Sequence, residues 1–163
     1  AHEREHPIEM ELPFLQRVCP ACKIVPVLMG PDDDDTAQLL ADALLAALPG
    51  RRAIVIASSD LSHYPSYDDA RRVDEATLGA IETGDPARFR ETIETIMGAG
   101  LPNLTTCACG QGPILAVMKV AQGLGAAEIS VLAYANSGDV DGERTQVVGY
   151  GAVMFWRRAP DEP

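Results

Sequence analysis

The chain has 163 residues, 47% hydrophobic and 23% charged, with a formal net charge of −11 at pH 7. That length and composition support one buried core without disulfides, and the sequence reads as a single α/β domain over residues 1–163. The carboxylate excess repels phosphate backbones and excludes a basic-patch nucleic-acid binder, while the absence of a signal-peptide pattern and of a run of about 20 apolar residues leaves a cytoplasmic, non-membrane protein as the expectation.

The chain opens Ala1-His2-Glu3-Arg4 without an initiator methionine, which suggests a piece of a longer protein. Pro7 suits the first position of a helix, Glu9 and Glu11 complement its positive end, and Ile8, Leu12 and Leu15 recur at helical spacing. Pro13 is expected to kink or divide this helix. His2 and His6 are four apart but separated from the helix by Pro7, so a metal pair is the weaker reading; His6 alone is the better placed to face a site. Cys19-Pro20-Ala21-Cys22 precedes a strand, Ile24 to Met29, whereas a redox CxxC normally follows a strand at a helix N-terminus. Ordinary reduced cysteines are the expectation here. A zinc ribbon would need Cys107 and Cys109, whose CxC spacing is unlike that of a ribbon.

Asp32 to Asp35 lack the turn glycine and distal Glu of a calcium loop and read as the acidic entry to a helix, Thr36 to Leu48, ended by Pro49-Gly50. A second strand follows in Ile54-Val55-Ile56-Ala57, branched and apolar on both faces as in a parallel sheet, completing a βαβ crossover. It runs directly into Ser58-Ser59-Asp60-Leu61-Ser62-His63-Tyr64, where ligands of α/β sheets collect beyond the strand carboxyl ends. Asp60 and His63 are close enough to converge, the carboxylate fixing the tautomer of an imidazole base; the alternative is a helix start capped by Ser59 or Asp60 with His63 exposed.

Two helices follow, about Tyr67 to Ile81 with Ala70, Val73, Thr77, Leu78 and Ile81 inward, and Ala87 to Met97 entered through Asp85-Pro86. After a Gly- and Pro-containing loop, Gln111 to Gln122 forms a helix with Pro113 in its first turn, leaving Cys109 at a loop-to-helix junction as ligand, nucleophile or filler. Strands from Glu128 to Ala135 and Thr145 to Phe155, joined by a polar loop, are expected to pair antiparallel, and a polar tail from Arg157 to be frayed.

Glu5-His6-Pro7-Ile8-Glu9, Leu12-Pro13-Phe14-Leu15, Ile24-Val25-Pro26-Val27-Leu28, Ser58-Ser59-Asp60-Leu61-Ser62-His63-Tyr64, Cys109-Gly110 and Pro113-Ile114 together resemble, in order and spacing, the Memo family, whose prokaryotic members are called AmmeMemoRadiSam system protein B. The resemblance implies an α/β fold like that of class III extradiol dioxygenases, which cleave aromatic rings at non-haem Fe(II). The fold class expected is a three-layer sandwich with a mixed, mainly parallel sheet and a C-terminal antiparallel strand pair, the C-terminal portion of a larger domain. It further implies a metal held by two histidines and a cysteine, with Cys109 as the metal ligand, His63 as acid/base, Asp60 as its orienter and His6 lining the site. Iron or copper suits such a set. The family's two metal histidines belong to N-terminal motifs that this chain does not contain, so metal binding by this piece alone is expected to be weak or absent. Gln111-Gly112 also stands where family members often carry Arg-His. The function implied is a metal-dependent oxidoreductase acting on a small molecule; the alternative is a non-catalytic binding or scaffold protein on the same fold, with a protein as partner.

Overall fold

The computed structural model describes residues 6–157. His2 and all but the first residue of the polar tail lie outside that range. Among the described residues, six helices and one two-stranded antiparallel sheet make a mixed α/β architecture.

Helix α1, Pro7–Val18, runs through Pro13 undivided, with Glu9 in its first turn and Arg17 in its last, each sign matched to the helix dipole. Cys19 closes it and is joined to Cys22 by a disulfide, which overturns the expectation of reduced cysteines there. Helix α2, Asp34–Ala47, is capped by Asp33, whose carboxylate accepts from the Thr36 amide; that bond is the main reason its pKa lies below the ordinary aspartate value. Ser66 caps α3, Tyr67–Glu82, and Asp85 caps α4, Pro86–Gly98. Helix α5, Gln111–Gly123, carries the most buried apolar face, and α2 packs along it while α3 packs on α4.

Strand β1, Glu128–Asn136, pairs with β2, Gly149–Trp156, in the order Glu128 opposite Trp156, with a bulge between Val131 and Ala133. The connection forms a one-turn helix α6, Gly138–Asp141. β2 begins four residues later than the sequence indicates because Val147 and Val148 are taken by other partners: Val147 exchanges backbone bonds with Tyr64 and Pro65, and the carbonyl of Val148 accepts from the Ser137 amide.

The expected strands at 24–29 and 54–57 are not formed. Among the described residues no backbone hydrogen bond reaches either segment, so neither a parallel sheet nor a three-layer sandwich is present there. A strand exists only by virtue of a neighbour that takes its N–H and C=O groups. The core consequently lies among the helices, around Phe89, Leu115, Met118, Val73, Ile81 and Ile93, with Ala57 and Met29 packed at its margin.

Candidate functional site

The segment after Ala57 is anchored from three directions. Leu61 donates its amide to the Gly149 carbonyl, and the Gly149 amide returns to Ser62, so the turn continues along β2. On its other side the His63 amide donates to Thr106 and the Thr105 amide to His63. Tyr64 holds a left-handed φ of 69°, costly for a tyrosine, and its amide is pinned 2.7 Å from the Val147 carbonyl.

A buried carboxylate underlies this turn. Asp74 is fully buried and accepts the Ser62 amide at 2.8 Å and the Tyr134 hydroxyl at 2.8 Å. Burial raises its pKa above the ordinary aspartate value despite those donors. Gly149 is the residue that lets it fit: a Cβ there would lie 1.9 Å from a carboxylate oxygen of Asp74. No motif marks Asp74, yet it shares the phase of Ala70, Thr77, Leu78 and Ile81 on the inward stripe of α3, a readable sign of a buried acid.

The loop before α5 closes on the same place. The Cys109 amide donates to the Asp60 carbonyl at 3.2 Å, while the Asp60 amide points back at Cys109 Sγ, also at 3.2 Å. Gly110 donates to Ser59 Oγ at 2.9 Å, and a Cβ at Gly110 would come within 2.7 Å of the Ser58 carbonyl, so this approach requires glycine. Ser59, which the sequence places at the same strand end, also lies 3.8 Å from Cys109 Sγ.

These contacts bring one ligand atom each from Asp60, His63 and Cys109 within 4.8 Å of one another. His63 Nε2 is buried and makes no hydrogen bond; the Asp60 carboxylate stands 3.4 Å away, at ion-pair distance but outside hydrogen-bond geometry. His63 is mostly covered, Asp60 half-exposed and Cys109 exposed, so the cluster opens to solvent through the acid and the thiol. His6 lies outside the cluster: its ring is exposed and pairs with Glu9. The helix bearing it is nonetheless tied to the site, because Ser58 Oγ donates to Glu11 at 3.0 Å. The zinc-ribbon alternative fails on geometry: Cys19 and Cys22 are spent on each other, and Cys107 is buried while Cys109 faces out.

An α/β protein that gathers a carboxylate, an imidazole and a thiol at one junction of turn, loop and helix is the class defined by fold and site. The family model "Memo-like protein" matches residues 1–154, and the chain belongs to the Memo family. It is 40% identical over 158 residues to a MEMO1 family protein of Methanosarcina acetivorans, covering 94% of this chain and 55% of that one. It is 38% identical over 160 residues to a MEMO1 family protein of Methanopyrus kandleri, covering 96% and 54%, and 40% identical over 155 residues to one from Aeropyrum pernix, covering 93% and 52%. The chain thus spans about half the length of these relatives. No helix among the described residues is long and apolar enough to cross a membrane.

Proposed function

We propose that Asp60, His63 and Cys109 form part of a non-haem metal centre, holding iron or copper for redox chemistry on a small molecule, in a site like that of the class III extradiol dioxygenases. The observation that carries this is the convergence of three donor types within 4.8 Å around a buried imidazole nitrogen that has no hydrogen-bond partner. A thiolate, an imidazole and a carboxylate suit iron or copper better than a hard cation such as calcium. When bound, the metal supplies electron transfer and Lewis-acid activation.

The protein's own groups divide the remaining work. Cys109 is the ligand, and the Asp60 amide 3.2 Å from its sulfur stabilises negative charge there. His63 takes or returns a proton at Nε2, and the Asp60 carboxylate 3.4 Å away orients the ring. His6, on the helix fastened to Ser58 through Glu11, lines the approach. Cys109 alone does not complete a coordination shell, so the two histidines expected of the family would come from polypeptide beyond this cluster. The larger, mainly parallel sheet belongs to the same reading, with segments 24–29 and 54–57 as its strands.

Anaerobic titration with Fe(II) tests the assignment. Uptake by the complete protein, carrying the two further histidines, should fall at least about tenfold in Cys109→Ala, since loss of an outer-shell partner alone already costs that much, while the fold, followed by circular dichroism, stays unchanged. Equal uptake by wild type and Cys109→Ala would overturn it. The second reading, a binding protein without chemistry, is favoured by the apolar side chains left exposed on α1 and on the two unpaired segments. It expects His63→Ala to leave the physiological activity intact.

A further inference from the structure

Two of the four cysteines take no part in the site or the core, and they are bonded to each other: Cys19 to Cys22, while Cys107 and Cys109 stay free. The bridge fastens nothing distant. Its Cα atoms are 5.4 Å apart across a turn in which the Cys22 amide donates to the Cys19 carbonyl at 2.9 Å, and Pro20 occupies the turn position that its fixed φ suits. This backbone keeps the two sulfurs together whether or not they are bonded. Stabilisation by a disulfide grows with the loop it closes, so a loop this short gains the least. Cys22 is exposed and Cys19 partly covered. Between Glu11 and Asp32 the only charged residues are Arg17 and Lys23, both basic, in a chain of net charge −11. Positive charge beside a thiol favours the thiolate, the form that exchanges. The pair follows the C-terminal end of α1, so that help comes from Arg17 and Lys23 and not from a helix N-terminus.

We propose that Cys19 and Cys22 are a thiol–disulfide exchange site, a reversible couple that takes electrons from an external dithiol and does not depend on the metal assignment. A thiolate of that dithiol attacks Sγ of Cys22, the exposed sulfur beside Lys23. A mixed disulfide forms as the Cys19–Cys22 bond breaks, and Cys19 leaves as a thiolate that takes up a proton. The partner's second thiolate then attacks the partner's own sulfur in the mixed bond, closing the partner's disulfide and releasing Cys22, which is protonated in turn. Two electrons and two protons pass to the protein, and the reverse sequence hands them on to a disulfide. A monothiol is a poor substitute. The turn keeps Cys19 against the mixed disulfide, so the protein's own bond recloses and expels the monothiol, whereas a dithiol carries its resolving group with it.

The test incubates the whole native chain with reduced dithiothreitol or with glutathione at the same thiol concentration, quenches by alkylation and maps the cysteines by mass spectrometry. Dithiothreitol should open the Cys19–Cys22 bridge at least about tenfold faster than glutathione does. Helix content by circular dichroism should stay unchanged, and oxidised dithiothreitol should close the bridge again. In Cys19→Ser, oxidised glutathione should label Cys22 faster than it labels Cys19 in Cys22→Ser, as attack at the exposed sulfur requires. Cys109→Ala should leave these rates unchanged, which separates failure of this inference from failure of the metal reading. A bridge that opens only when urea unfolds the core would overturn the proposal by making it a structural link. Two thiols that no disulfide reagent closes would overturn it as well, and so would equal opening by the dithiol and the monothiol.

Discussion

Cys107 and Cys109 are separated by one alanine and meet opposite surroundings. Cys107 is fully buried in the core, and desolvation, with a smaller contribution from the Asp74 carboxylate, pushes its thiol up to about 11. Cys109 sits in the open at the entry to α5. The thiolate is the reactive form and must be reached by reagent, so the two should differ sharply in alkylation. Iodoacetamide at pH 8, read by mass spectrometry on the native protein, should label Cys109 at least about a hundredfold faster than Cys107, with Cys107 reacting only on opening of the core. Comparable rates would mean that Cys107 is not sealed in. The same contrast shows why a CxC need not be one chelating unit: only the residue next to Gly110 is turned toward Asp60.

Helix entries are the elements most directly written in the sequence. Asp85 accepts from the Ala87 and Arg88 amides at 2.9 and 3.4 Å, with Pro86 at the first helical position where its missing N–H costs nothing. Asp85→Ala should lower stability by about 1 kcal/mol, measured by urea unfolding at pH 7, with unchanged helix content in the folded baseline. Asp33 and Ser66 act in the same way, and the apolar stripes behind all three caps repeat locally, which is why α2, α3 and α4 were legible within a residue or two. Ile24 to Met29 and Ile54 to Ala57 were not, because a strand's hydrogen bonds depend on a neighbour that no local pattern contains. The Asp60 and Cys109 convergence was indicated by motif resemblance; its physical basis, Gly110 approaching Ser58 and Ser59, needed coordinates. The Cys19–Cys22 bridge ran against the expectation from location, and nothing in the spacing distinguished it from two thiols.

For the molecule as a whole, the buried core and the exposed apolar side chains lie on different parts of the chain. Phe89, Leu115 and Met118 are fully buried among α3, α4 and α5, whereas the side chains that read as sheet interior face water. Burial by neighbouring side chains, rather than hydrophobicity itself, makes an apolar residue stabilising. Phe89→Ala should therefore cost about 3–5 kcal/mol in urea unfolding. Val25→Asp, equally drastic in character but 87% exposed, should change stability by no more than about 0.5 kcal/mol. If Val25→Asp proved as costly as Phe89→Ala, segment 24–29 would belong to the folded core of the isolated chain. A small cost means that the helical side folds without the sheet, holding the turn from Asp60 to His63 and the entry to α5 in place while the apolar face stays available to a neighbour.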